Sequence, residues 1–122
     1  MDTSSRSKSI LLVEHHSEVR AVIRDALQGE GYEVSATPDV EAALPLVPHL
    51  ERLGLILLEW SSWDDASAER FIQCVRRIPS HATVPIILLG VERRAPLPGA
   101  QGVLLKPFPL ERLLAIVEAS CR

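Results

Sequence analysis

The sequence predicts a doubly wound α/β fold, in which a five-stranded parallel sheet carries helices on both faces. Several short apolar runs show no polar alternation, and such runs are typical of strands that are covered on both faces. Segments with apolar residues at helical spacing alternate with these runs, and alternating strands and helices form parallel sheets. A length of 122 residues is enough for one domain with its own core.

Five strands are predicted, at residues 10–13, 32–36, 55–58, 84–89 and 102–105. Four helices are predicted: the first follows a cap at Ser17, and the others begin at Thr37, Ala68 and Pro109. The second of these is expected to be short or kinked, because Pro45 and Pro48 lack the amide donors that a helix needs. Residues 1–8 are polar and Ser-rich, which predicts a disordered lead-in to a single domain at residues 9–122.

The connection between the fourth and fifth strands leaves little room for a helix. Few residues separate Gly90 from Lys106, and Pro96 and Pro98 interrupt them. We therefore expect the fourth helix of the alternating series to be shortened or missing.

Charge and composition exclude several kinds of partner. A net charge of −3 and a pI near 5.8 give no basic field for direct contact with nucleic acid. The apolar stretches are far shorter than a membrane span, and the first residues lack the order of a signal peptide, so we expect a cytoplasmic protein without membrane contact. Cys74 and Cys121 have no metal-binding spacing and are interpreted as reduced thiols.

Chemically active side chains follow three of the predicted strands at the point where each strand ends. Glu14-His15 comes after the first strand, Glu59 after the third and Lys106 after the fifth. Because parallel strands share one carboxyl edge, we expect these side chains to converge there. The sequence predicts a salt bridge between Lys106 and Glu59.

The same segments resemble the motifs of the receiver domain of bacterial two-component response regulators. Residues 11–20 (LLVEHHSEVR) resemble its first-strand motif, residues 57–60 (LLEW) its third-strand motif and residues 84–90 (VPIILLG) its fourth-strand motif. Lys106-Pro107-Phe108 matches the fifth-strand motif without change. The resemblance covers nearly the whole chain and implies a flavodoxin-like, CheY-like sheet with strand order 2-1-3-4-5.

The resemblance also shows where this chain departs from the family. Glu14 and His15 stand at the two acidic positions that help to hold Mg²⁺, and Glu59 stands at the phosphoacceptor Asp. Gly90 replaces the switch hydroxyl, while Lys106 is retained. Mg²⁺ requires oxygen ligands, so we expect weak or lost Mg²⁺ binding and no other metal or cofactor. The extra methylene of Glu59 displaces its nucleophilic oxygen, which makes it a poor acceptor.

These departures predict an atypical receiver domain, a pseudo-receiver, that is not an enzyme and is not phosphorylated. It would act as a protein–protein interaction module with a protein of a signalling pathway, and it could form a homodimer. The family's usual output and dimer surface consists of the fourth helix, fifth strand and last helix. Loss of the fourth helix implies a different partner or dimer mode.

Two alternatives remain open from the sequence. The first is a receiver switch that uses Glu59, either phosphorylated or as a mimic of phospho-Asp, or that uses Asp64 or Asp65 as the acceptor. The second is a small metal-dependent hydrolase at Glu14, His15 and Glu59, because imidazole and carboxylate suit Zn²⁺.

Simpler interpretations suffice for the remaining polar and aromatic residues. Asp64 and Asp65 are expected to cap the third helix, and His49 and His81 to lie in loops. Trp60 and Trp63 are expected in the loop after the third strand, packed over the pocket, and Arg93 and Arg94 in solvent.

Overall fold

The sheet has five parallel strands in the order β2-β1-β3-β4-β5, as the sequence and the resemblance predict. The computed structural model describes residues 8–60, 65–92 and 94–121, so the predicted lead-in, apart from Lys8, lies outside the described residues. The strands are β1 (Ser9–Val13), β2 (Glu33–Thr37), β3 (Leu53–Trp60), β4 (Ile86–Gly90) and β5 (Gly102–Leu105).

The register of the sheet brings the last residue of β1 level with residues near the carboxyl ends of β3 and β4. Val13 pairs with Leu58, and Leu58 pairs with Leu88. Glu14 and Glu59 therefore follow paired residues, so that their side chains start from the same edge.

Four helices cover the sheet within the described residues. They are α1 (Ser17–Gly29), α2 (Val40–Ala43), α3 (Asp65–Arg76) and α4 (Leu110–Ser120), and single 3₁₀ turns occupy Val47–His49 and Pro79–His81. The second helix has four residues and ends before Pro45, as its prolines predict. No helix separates β4 from β5 in the described part of that connection, which confirms the predicted loss.

Alternation along the strands divides the core into two halves. On one face, Leu11, Ile56 and Leu88 pack with residues of α2 and α3, among them the fully buried Phe71. On the other face, strand residues such as Leu12 pack with residues of α1 and α4. Because successive strand side chains point to opposite faces, continuous apolar runs supply both halves.

Three helix starts differ from those that the sequence indicated, and one of them is α3, which begins at Asp65 and not at Ala68. The cap of α1 is His16 and not Ser17, because the Glu14 carboxylate accepts the His16 amide and the His16 carbonyl accepts the Arg20 amide. The second helix starts after Asp39 and not at Thr37, since the Asp39 side chain accepts the amide of Ala42 at 2.8 Å.

The helix-free connection between β4 and β5 is held by side chains from elsewhere. The Arg76 guanidinium donates to the Gly99 carbonyl at 2.6 Å, and the side chain of Gln101 accepts the Ile86 amide at 2.6 Å. Gly99 has a φ of +91°, and a Cβ there would come within 2.6 Å of Ile72. Leu97 is buried against the α3 side of the core. These contacts replace the packing that a helix would provide.

His81 differs from the expected loop residue, because it is buried and its Nε2 lies 2.8 Å from the Val47 carbonyl. This contact joins the two 3₁₀ turns. In the described part of the chain, no helix is long and apolar enough to cross a membrane.

Candidate functional site

Glu14 is a fully buried carboxylate at the end of β1. Its Oε1 lies 2.5 Å from the Lys106 Nζ, and its Oε2 accepts the backbone amide of His16 at 3.0 Å. A buried carboxylate requires such partners, because an unpaired charge in the protein interior is strongly unfavourable.

Glu59 lies at the end of β3 and is mostly covered. Its Oε1 accepts the His15 amide at 2.7 Å, and its Oε2 lies 3.2 Å from the Lys106 Nζ. The predicted salt bridge between Lys106 and Glu59 is therefore confirmed. The shorter contact, however, is the one between Lys106 and Glu14.

The Lys106 ammonium lies between the two carboxylates and is a direct cationic partner of each. Its backbone amide donates to the Gly90 carbonyl at 2.7 Å, which fixes the residue where β4 and β5 end. Burial by itself would raise the pKa of Glu14, but hydrogen bonds from Lys106 and His16 outweigh burial and hold this pKa below its ordinary value. Folding therefore stabilises the ionised form of Glu14.

The lowered pKa of Glu14 predicts acid sensitivity. Its stabilising effect is present above the unfolded-state pKa of about 4.3 and is lost as the pH falls through the lower folded-state pKa. We expect urea unfolding between pH 6 and pH 3 to show a falling free energy of unfolding, with a shallower fall in Glu14→Gln. Equal slopes for the two proteins would contradict this assignment.

The structure places His16, and not His15, beside the two carboxylates. The His16 Nδ1 lies 3.2 Å from Oε2 of Glu14 and 3.6 Å from Oε2 of Glu59. His15 takes part through its backbone amide, while its side chain is exposed and contacts the His16 ring edge to face. Helix α1 starts at the next residue, which turns successive side chains in different directions. The sequence assigned His15 to this position because it follows the first strand and because the resemblance aligns it with the second acidic position.

The residues present do not fit the Mg²⁺ ion that the resemblance implies. All four carboxylate oxygens of Glu14 and Glu59 already contact N–H groups of Lys106, His15 or His16. The second acidic position holds an exposed imidazole, whereas Mg²⁺ requires a near-octahedral set of oxygens.

The position of the switch hydroxyl is enclosed by Trp60. Gly90 pairs with Trp60 across β3 and β4, and a Cβ on Gly90 would lie 3.6 Å from the indole and 3.3 Å from Val103 Cγ1. Trp60 is the last residue of β3 and is buried, so it differs from the expected loop residue. A side chain at position 90 would therefore contact the indole of Trp60 and press on Val103.

Two charged residues fix that indole from outside. The Trp60 Nε1 donates to Asp65 at 2.8 Å, and the Arg94 guanidinium lies 4.4 Å from the indole centroid. Arg94 also donates to both oxygens of Asp65, at 2.8 and 3.3 Å. These bonds from Arg94, and then the one from Trp60, hold the pKa of Asp65 below its ordinary value. Arg94 is thus paired and not merely solvated. Trp63, Asp64 and Arg93 lie outside the described residues.

A serine at position 90 tests this packing. We expect Gly90→Ser to fold and to lose about 1 kcal/mol of stability, because Val103 must move by a few tenths of an ångström. The loss should shrink when Val103→Ala is combined with it, as a double-mutant cycle by urea unfolding would measure. Strict additivity of the two substitutions would show that Val103 is not the obstacle.

An apolar groove of about 680 Å³ opens beside the carboxylate cluster. Lys106, Pro107 and Phe108 form one side, and residues of α1 form another. The described residues include five large exposed hydrophobic side chains, and four of these line the groove: Val19, Val22, Val91 and Leu110.

Comparison with known proteins gives one family. Residues 10–118 match the family described as response regulator receiver domain. A chemotaxis protein of Vibrio cholerae, CheY4, is 26% identical with a TM-score of 0.79, over 93% of this chain and 98% of its own. No curated protein sequence matches the chain.

Two further solved structures are similar. The receiver domain of the sensor histidine kinase PA1611 from Pseudomonas aeruginosa, which has a magnesium ion in its active-site cleft, is 28% identical with a TM-score of 0.73, over 93% of this chain and 97% of its own. HP1043, an orphan response regulator of Helicobacter pylori, is 21% identical with a TM-score of 0.75, over 95% of this chain and 98% of its own, and supports the fold alone.

Proposed function

Because the chain belongs to the response regulator receiver domain family, we propose that it is a two-component receiver domain that takes no phosphoryl group and acts by binding a partner protein. One observation carries the proposal. The carboxylates of Glu14 and Glu59 are neutralised by Lys106 and by backbone amides, so that no oxygen-rich cation site is left. Metal-assisted phosphoryl transfer depends on such a cation for charge stabilisation.

Each further departure removes another part of the switch. Glu59 reaches Lys106 directly, so its carboxylate is held by an ion pair where a nucleophile would have to be free to attack. Gly90 offers no hydroxyl to follow a phosphoryl oxygen. Trp60, held by Arg94 and Asp65, packs against the backbone that would have to move.

The alternative acceptor Asp65 is disfavoured by its contacts. Both of its oxygens accept from Arg94, and one also accepts from Trp60. The contact of Glu59 with Lys106 supports the alternative that Glu59 permanently mimics phospho-Asp. Gly90, however, lacks the hydroxyl that would bind a phosphoryl oxygen and transmit the change. Neither carboxylate is placed as a free nucleophile.

Acetyl phosphate with Mg²⁺ tests the proposal. We expect intact-mass spectrometry to detect no phosphorylated protein, and beryllofluoride with Mg²⁺ to leave the tryptophan fluorescence unchanged. The receiver domain of PA1611 serves as the positive control, since it coordinates magnesium in its cleft. Stoichiometric, Mg²⁺-dependent modification of Glu59 or Asp65 would overturn the proposal.

We propose that the partner contact lies in the apolar groove and that its occupant is an apolar surface of another signalling protein. Four of the five large exposed hydrophobic residues line it, and Lys106 joins it to the carboxylate cluster. Once the partner is identified by crosslinking, Val22→Asp should weaken binding of the purified proteins at least about tenfold. Leu46→Asp is the matched control, because Leu46 is exposed but does not line the groove. A dimer of this chain that Val22→Asp dissociates would instead identify a second copy as the occupant.

A further inference from the structure

We infer that Glu14, His16 and Glu59 form a binding site for a divalent transition ion, with Zn²⁺ as the best-suited ion. Within the described residues, one ligand atom from each of these three side chains lies within 4.8 Å of the others. The site differs from the family's Mg²⁺ site in its donor set, because an imidazole nitrogen supplies one of the three ligands. It does not depend on phosphorylation.

The spacing of the donors suits a tetrahedral ion. Bonds of 2.0 to 2.2 Å in a tetrahedron separate neighbouring ligand atoms by about 3.3 to 3.6 Å. The His16 Nδ1 lies 3.2 Å from one Glu14 oxygen and 3.6 Å from one Glu59 oxygen. The Glu14 and Glu59 oxygens lie within the 4.8 Å that encloses all three ligand atoms. The His16 side chain is 66% exposed, so this side of the cluster is open to a solvent ligand.

The chain segment that carries two of the ligands is already fixed. The Glu14 Oε2 accepts the His16 amide, and the Arg20 guanidinium donates to the carbonyls of Glu14 and His15. The Arg20 amide in turn donates to the His16 carbonyl at 2.8 Å. Ligands that are held before binding lose little conformational freedom when the ion enters.

Lys106 competes for only part of this site. Its contact with Glu14 uses Oε1, whereas His16 faces Oε2, so this ion pair and the metal use different oxygens. Of the two contacts of Lys106, only the one with Glu59 shares an oxygen with the metal site. Transition ions bind nitrogen and oxygen ligands far more tightly than Mg²⁺ does, so Zn²⁺ can displace this one contact.

Titration with Zn²⁺ and Co²⁺ tests the inference in a Cys74→Ser background, which removes an exposed thiol. We expect one saturable Zn²⁺ site by calorimetry, and Co²⁺ absorption bands of tetrahedral intensity. His16→Ala should weaken Zn²⁺ binding at least about tenfold, whereas His15→Ala, its exposed neighbour, should change it less than about twofold. Glu59→Gln should resemble His16→Ala, and Lys106→Met should strengthen binding.

Three results would overturn the inference: no saturable Zn²⁺ binding below about 1 mM, equal losses in His15→Ala and His16→Ala, or Mg²⁺ binding as tight as that of Zn²⁺. Both histidine variants change exposed side chains, so thermal melting without metal should show that they fold. The titration contains no phosphodonor. Absence of Zn²⁺ binding would therefore leave the proposed loss of phosphorylation unaffected, and phosphorylation of the chain would leave the Zn²⁺ result unaffected.

Discussion

Lys106→Met should destabilise the protein by about 3 kcal/mol, measured by urea unfolding at pH 7. The substitution keeps most of the side-chain volume but leaves the fully buried Glu14 carboxylate without its cation. Removing one partner of a buried pair is costly, because the remaining charge keeps its desolvation penalty. The remaining bonds from His16 to Glu14 keep the loss at the lower end of the usual range.

Two further variants separate charge from packing. The double variant Glu14→Gln with Lys106→Met should recover most of the lost stability, since it removes both charges and keeps an acceptor for the His16 amide. Lys8→Met is the matched control, because Lys8 is the only other lysine of the chain and is expected to change stability by less than about 0.5 kcal/mol. A loss of equal size at both lysines would contradict the role assigned to the ion pair.

We expect the natural chain to accept no phosphoryl group, and we expect that restoring the family's residues makes it able to accept one. We expect the triple variant His15→Asp, Glu59→Asp and Gly90→Ser to react with acetyl phosphate in Mg²⁺ at least about 100-fold faster than the natural chain, by intact-mass spectrometry. The aspartate at position 59 withdraws the nucleophile by one methylene, the aspartate at position 15 restores the carboxylate that the family has at its second acidic position, and the serine supplies the hydroxyl.

Partial restorations show which departure matters most. Glu59→Asp alone should stay unreactive, since an imidazole still stands at the second acidic position. A second triple variant, His15→Asp, Glu59→Asn and Gly90→Ser, is expected to show no reaction and so to identify position 59 as the site of modification. Rapid modification of Glu59→Asp alone would mean that only the length of the acceptor side chain prevents phosphorylation.

The sheet and its active edge could be predicted because the apolar runs carry local information. Residues 102–105 were predicted without error, and the other strands differ by one to four residues in total at their ends. Each run locates the carboxyl end of its strand to within two residues, so Glu14, Glu59 and Lys106 could be placed on one edge. Their convergence and the salt bridge between Lys106 and Glu59 followed from that placement.

The contacts that the sequence missed join residues far apart in the chain. Arg94 and Asp65 are 29 positions apart, and His81 and Val47 are 34 apart. Arg94 stood beside Arg93 in a Pro-rich segment, where a solvated pair was the simplest interpretation. No local pattern marks a loop guanidinium that will stack on an indole of a distant strand.

The sequence by itself determined the order of elements, the missing helix and the shared edge of Glu14, Glu59 and Lys106, because hydrophobic periodicity and proline act locally. Only the tertiary structure decided which histidine faces the carboxylates and which group fills the space beside Gly90. The choice of histidine depends on the path of the backbone after β1, and the group beside Gly90 depends on packing between β3 and β4. At both places, a shift of one residue would exchange a buried side chain for an exposed one.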